Sequence, residues 1–426
     1  MMEQEEILED VISNMDGSAS SPRIDVGIDE FTLVLQPIQR VAIDKWIAEA
    51  KRIIRDFLER SKIETLFEKM EWTTNNLVKG YNWGYTLNRP FYLCVCFNGL
   101  QENMGVCCRF SAYAWASYRE EYYKTYCEDI NLGQFLRMVQ SNNYTQRLSR
   151  VDITVDYFNL PNPCYEGQYL SPDTIYNDLL KGQMRVVDHN GRSNIKTWSA
   201  LNKQGEYQTC YIGSRKGNTS GYLRVYDKRS EQMETHGFRY ADAIETQSWV
   251  RFEAVYKNPY SHQIGEELIK ISKTSDYVSF IGSKVLDKYI FQFPATGENV
   301  YFTDLLIWKI SEAEYEPLKC TSPRDNSLMQ SIKYLAKNSG LYITLAKAQR
   351  VYPDKNADQI LLRWLYKMFN KYYVKKIEHI KNHEIKKWME KHENTTQNQE
   401  IEDILEAVEQ EMLSEGEWCD ELYSKE

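Results

Sequence analysis

Apolar and polar side chains alternate along several stretches of the chain, and those stretches define its candidate elements. The run IDVGIDEFTLVLQP alternates over 24–35 and predicts a strand. Residues 43–67 place apolar side chains at helical spacing and predict an amphipathic helix. Residues 91–97 and 105–110 read as two strands joined through Asn98-Gly99 in a hairpin-like connection, and 113–140 as a mostly helical, aromatic-rich stretch. Three further segments have period two: RVDITVD (150–156), GYLRVYDK (221–228) and WVRFEAVYK (249–257). Short strand-like runs lie within 182–208. After Pro259 the pattern turns helical, with 267–272 and 303–313 as candidates. Residues 358–391 carry a long, basic, aromatic-rich helical pattern, and 400–413 an acidic one.

The three alternating segments read as strands of one sheet. One face then shows Arg150, Asp152, Thr154 and Asp156, beside Tyr222, Arg224, Tyr226 and Lys228, beside Arg251, Glu253 and Lys257. The other face is apolar. A one-residue slip would bury every charge, so the faces are well specified. The plain reading is a solvated face laced with cross-strand ion pairs. The chemical reading is that Asp152, Asp156 and Glu253 converge as hard oxygen ligands for Mg²⁺ or Mn²⁺. A tyrosine among Arg224, Lys228 and Arg251 would supply a nucleophile in a phosphate-binding field, which is what phosphodiester transesterification needs.

Bulk properties constrain these readings. No stretch approaches the roughly 18 apolar residues of a membrane span. The acidic start, MMEQEEILED, lacks the order of a signal peptide, so a cytoplasmic protein is expected. Nine cysteines include Cys94/Cys96 and Cys107/Cys108, but neither pair has zinc-site spacing, and buried free thiols are expected with no metal. The net charge of −9 argues against nucleic-acid binding when taken alone. Its distribution does not: 181–260 hold more bases than acids, while Lys425 is the single base after Glu393. Thirty-one tyrosines make any one of them anonymous until its neighbours single it out. No Walker-type phosphate loop and no His-hydrophobe-His triplet occurs.

In this order, RVDITVD, YIGSRKGNTSGYLRVYDK and WVRFEAVYK resemble the successive motifs of the plasmid replication initiation factor family. That family includes rolling-circle initiators of small plasmids from Gram-positive bacteria and relaxases of integrative conjugative elements. The resemblance spans 24–260 and is strongest over 148–260. It implies that Tyr226, in R-x-Y-x-K, is the nucleophile, with Arg224 and Lys228 beside it; the alternation itself leaves Tyr222, on the same face, as the rival. It implies that Asp152 and Glu253 hold the divalent ion, with Asp156 as helper. Arg215, Lys216 and Arg251 are expected to meet DNA phosphate, Gly213 to permit a turn, and Tyr211 to be a packing residue. The implied reaction leaves a 5′-phosphotyrosine and a free 3′-hydroxyl.

The expected fold is α+β: an antiparallel-sheet nicking-endonuclease domain with a helical C-terminal region. The expected organisation is a disordered leader (1–22), a catalytic domain (23–265), a helical region suited to DNA (266–392) and an acidic tail (393–426). Residues 24–145 are expected to belong to the catalytic fold or to a pseudo-repeat of it. Arg363, Lys367, Lys371 and Lys375 repeat every four residues and would line one helix face for phosphate tracking, with Trp364, Leu365, Met368 and Phe369 opposite. The implied partners are origin DNA, single-stranded or cruciform at the nick, a helicase and other transfer or replication proteins, and a second copy in a homodimer, with no membrane. The alternatives are a non-catalytic DNA-binding regulator of the same fold and a metal-independent tyrosine recombinase.

Overall fold

β-Branched and aromatic residues alternating with polar ones produce one large antiparallel sheet. The computed structural model describes residues 9, 11–15, 20–67, 69–87, 92–165, 167–193, 198–203, 206–215, 221–311, 328, 332, 341–373 and 401–414. The chain divides into two compact units, Met1–Cys320 and Thr321–Glu426.

In the first unit the strands are β1 (Arg23–Pro37), β2 (Glu71–Thr73), β3 (Trp83–Leu87), β4 (Leu93–Phe97), β5 (Val106–Phe110), β6 (Tyr144–Phe158), β7 (Arg185–Val187), β8 (Trp198–Lys203), β9 (Glu206–Ile212), β10 (Gly221–Asp227), β11 (Trp249–Lys257) and β12 (Ile290–Gln292). Ten of them form a sheet in the order β2-β3-β4-β5-β1-β6-β11-β10-β9-β8, and β12 pairs with β7 apart from it. Counted outward from the centre, the two halves follow one rule. The first strand of each half lies innermost, the last lies beside it, and the others run outward in reverse. The innermost strands, β1 and β6, are 15 residues each and are followed by helices α1 (Ile43–Ser61) and α4 (Pro172–Leu180) respectively. Residues 23–110 thus share the sheet and its strand order with 144–257.

Helices cover the apolar face: α1, α2 (Ala112–Tyr126) and α3 (Leu132–Met138) over the first half, and α7 (Pro259–Lys270), α8 (Thr274–Leu286) and α9 (Tyr301–Ser311) over the second. Phe31, Phe110, Trp115 and Phe135 meet at ring separations of 4.7–6.1 Å, and Tyr157, Phe252, Phe291 and Phe302 form a second aromatic group. The buried Tyr157 hydroxyl donates to Phe302 O at 2.7 Å, so its polar end is satisfied.

Several elements differ from the sequence expectation. The 43–67 helix breaks at Lys62, which takes a left-handed conformation, and 113–140 breaks at left-handed Cys127. The link between β4 and β5 is longer than the Asn98-Gly99 turn, because Phe97 pairs with Val106 and a 3₁₀ turn, Glu102–Met104, intervenes. The helix expected over 267–272 begins earlier, at Pro259, the favoured first helical position. Lys228 does not continue β10. Asp227 accepts from Ser230 N at 2.8 Å and caps helix α5 (Lys228–Thr235), which is followed by α6 (Tyr240–Glu245).

The second unit contains α10 (Leu341–Val351), α11 (Ala357–Met368) and α12 (Ile401–Ser414). Helix α11 runs into a π-helical turn, Phe369–Tyr373. Among the described residues no helix is long and apolar enough to cross a membrane.

Candidate active site

Register sets the charged face into rows. One row runs Asp156, Arg251, Tyr226, Thr209 across β6, β11, β10 and β9, and the next runs Thr154, Glu253, Arg224, Tyr211. Asp152 lies opposite Val255, diagonal to Glu253 on the same face. The sheet therefore brings Asp152, Glu253, Arg224, Tyr226, Arg251 and Asp156 together, and adds Tyr211 and Tyr222, whose rings are 6.4 Å apart.

The face is not solvated. Asp152 and Glu253 are each 1% exposed, and Asp156 and Arg251 each 3%. Helices α5 and α6 roof one end: Met233 and Ala243 pack on Phe158 and Trp249, which stack at 4.8 Å. Tyr113 and Phe238 stack at 4.8 Å beside this roof. At the other end, arginines lie over the carboxylates.

Each buried carboxylate is paired, as desolvation demands. Arg150 grips Asp152 with Nε–Oδ1 at 2.8 Å and Nη2–Oδ2 at 2.5 Å, and reaches Glu30 at 2.9 Å. Arg224 Nη2 donates to both oxygens of Glu253, at 2.7 and 2.5 Å, which leaves its buried Nε without a partner. Arg251 forks onto Asp156 at 2.7 Å twice and reaches Asp29 at 2.6 Å. The Tyr226 hydroxyl donates to Glu253 Oε2 at 3.0 Å, with Arg224 4.7 Å from its ring centre. Lys228 is buried against Glu231 at 2.5 Å, with its ammonium 5.6 Å from the Tyr226 ring.

These surroundings move the ionisations. Burial pushes the Asp152 carboxyl up to about 8 against the pull of Arg150, and Glu253 adds to the rise. Burial raises Asp156 too, but Arg251 and Arg239 together outweigh it and hold the group below its ordinary value. Burial, with Glu253 beside it, keeps the Tyr226 phenol well above its ordinary value, and Arg251 opposes this.

Asp156, one row further along the same face, is committed to Arg251 and Arg239 rather than to the Asp152–Glu253 diagonal. Among the described residues no three His, Cys, Asp or Glu side chains are arranged to hold a metal ion. Asp152 and Glu253 are hard oxygen donors of the type Mg²⁺ takes alongside phosphate and water, and here both oxygens of each are held by an arginine. They do not form an all-protein cage.

The remaining candidates differ in their surroundings. Arg251, expected against DNA, is enclosed by its two aspartates. Arg215 is exposed and sits 4.2 Å over the Tyr211 ring, after the turn at Gly213, where φ is +94°. Tyr211 stands on the charged face rather than in the core. Lys216 and Lys375 lie outside the described residues. Arg363, Lys367 and Lys371 are exposed, but so are Trp364 at 52% and Phe369 at 48%, so the aromatic side of α11 is not packed away. Sequence reasoning misses Asp29, Glu30 and Arg239. The first two stand where a β-bulge between Ile28 and Phe31 interrupts the alternation of β1.

Residues 146–357 match the family described as replication initiation factor, Rep_trans. No curated protein matches the chain. Among solved structures, the rolling circle replication initiator protein from Geobacillus stearothermophilus is similar at 13% identity, covering 70% of this chain and 100% of that one, with a TM-score of 0.44.

Proposed function

We propose that this chain, a replication initiation factor over residues 146–357, nicks one strand of its element's origin DNA with Tyr226. The observation that carries the reading is the Tyr226 hydroxyl on Glu253, which also accepts from Arg224 Nη2 while Arg224 Nε has no partner. The phenolic oxygen attacks phosphorus in line and its proton leaves along the bond to Glu253. The bond from phosphorus to the 3′-oxygen breaks and the leaving oxygen takes a proton from water, giving a 5′-phosphotyrosine and a free 3′-hydroxyl. Arg224, whose Nε has no partner, would meet a phosphate oxygen as charge develops. Asp152 and Glu253 would hold Mg²⁺ or Mn²⁺, which supplies Lewis-acid polarisation of the phosphate when bound. The 3′ end then primes synthesis, and reverse attack rejoins the strand. The same steps serve conjugative transfer, with a helicase and a second copy as the partners.

The 8% exposure of Tyr226 favours a second reading, a DNA-binding regulator that keeps the fold without the chemistry. A nicking assay with Mn²⁺ or Mg²⁺ on supercoiled origin DNA separates the two. Wild type is expected to yield nicked circles with protein attached, while Tyr226→Phe, Asp152→Ala and Glu253→Ala bind DNA and fail to nick. Nicking by Tyr226→Phe would remove Tyr226 as nucleophile and promote Tyr222. An inert wild type on a verified origin would leave the regulator.

A further inference from the structure

The first half of the sheet carries sulfur where the second carries the charged rows. Register sets Val34, Cys107, Cys96 and Gly84 in one row, and Thr32, Arg109, Cys94 and Thr86 in the next. Thr32 lies opposite Arg150, so these rows are on the charged face. By the strand order common to both halves, β4 and β5 correspond to β10 and β11, the strands that hold Tyr226, Arg224 and Glu253. Cys94, Cys96 and Cys107 form a small buried cluster outside the main core, covered by Leu77, Val78, Tyr81 and Tyr92. Cys96 shares this cluster with Cys94 on its own strand and with Cys107 directly opposite.

We propose that Cys96 and Cys107 are a peroxide-sensitive pair that closes to a disulfide between β4 and β5. The two stand directly opposite on antiparallel strands, where Cβ atoms lie about 4.5–5.5 Å apart. A disulfide draws them to about 3.5–4.5 Å, a short movement. Cys94 and Cys96 are two residues apart on one strand, roughly 6.5–7 Å at Cα, near the upper limit for a bridge. Gly84 leaves no side chain against Cys96 from β3; a Cβ there would stand 2.6 Å from the Cys96 Cβ. The cover is the loop between β2 and β3, tied by Tyr92 Oη donating to Asn76 O at 2.8 Å and Asn98 Nδ2 to Gly80 O at 2.7 Å. Its local opening admits a small oxidant.

The chemistry balances with a peroxide as oxidant. One thiolate attacks a peroxide oxygen and the O–O bond breaks, giving a sulfenic acid and hydroxide, which takes up the thiol's proton as water. The opposite thiol then attacks that sulfur, the S–O bond breaks, and a second water leaves. The two sulfurs lose two electrons and the peroxide gains them. A reducing compartment reopens the pair.

This inference is independent of the nicking reading, and mass mapping tests it. The full-length reduced protein is treated with hydrogen peroxide, denatured, alkylated and cleaved at Met104, which separates Cys94 and Cys96 from Cys107 and Cys108 in the chain. The expected result is two fragments held together through Cys96 and Cys107 until reductant is added, with the link abolished in Cys107→Ser. Fragments that separate while exposed Cys127 and Cys164 have reacted would overturn the proposal. So would a bridge confined to Cys94–Cys96, one through Cys108, or one formed only between copies. If Cys107→Ser does not fold by circular dichroism, the wild-type map decides alone.

Discussion

Arg251 illustrates how much one side chain organises here. Its guanidinium satisfies Asp156 and Asp29 from two different strands, and all three are largely buried. Removing it leaves the buried Asp156 with Arg239 alone, at 3.5 Å, and takes from Asp29 the guanidinium that pairs it. Arg251→Ala is expected to destabilise the protein by about 3–5 kcal/mol, measured by urea unfolding. Arg251→Lys should recover little, because an ammonium cannot reproduce the fork. A pH dependence follows with a definite sign. The Asp156 carboxyl is held below its ordinary value, so the native state releases this proton more readily than the unfolded chain. Its contribution is complete above the ordinary carboxylate range and disappears as pH falls through the depressed native value. Asp156→Asn should therefore flatten the acid limb of a stability profile, a comparison made by chemical unfolding at several pH values.

Among the elements, period two gives the faces of β6, β10 and β11 correctly, because each alternates cleanly between charge and aliphatic bulk. Their surroundings are harder to read. Alternation says which way a side chain points, not what lies over it, so the roof of α5 and α6 is invisible in the sequence. The hint is present in Phe158 and Trp249, two large apolar residues at the ends of an otherwise charged face. Lys228 reads as a strand residue because spacing alone cannot see that Asp227 caps a helix. Asp29 and Glu30 escape notice because a bulge breaks the period. The thiol cluster reads as buried, and it is, but its place opposite the charged rows depends on strand order, which no local pattern encodes. Gly84 offers a test at this scale. An added Cβ would stand 2.6 Å from Val95 O, backbone that cannot yield without shifting β3 from β4. Gly84→Ala should cost about 1–3 kcal/mol, read by thermal unfolding.

For the whole molecule, the net charge of −9 is a poor guide to what it binds, because screening within about 10 Å makes DNA respond to local patches. Exposed Arg363, Lys367 and Lys371 on α11 and its π-helical extension form one such patch. If they track phosphate, replacing each with Gln should lower the salt slope of DNA binding by about 0.9 for every phosphate no longer neutralised. An unchanged slope would assign this helix to other work. The long central pairing has a mechanical consequence. β1 and β6 are hydrogen-bonded along nearly their whole length, from Arg23 opposite Phe158 to Pro37 opposite Tyr144. The seam between the halves is therefore a long strand ladder, interrupted only by register shifts between Ile28 and Phe31 and between Thr32 and Leu33. A molecule built this way does not hinge at its middle. Its central amides should be the last to exchange with deuterated solvent, and a pulling force should peel the outer strands before the two halves part.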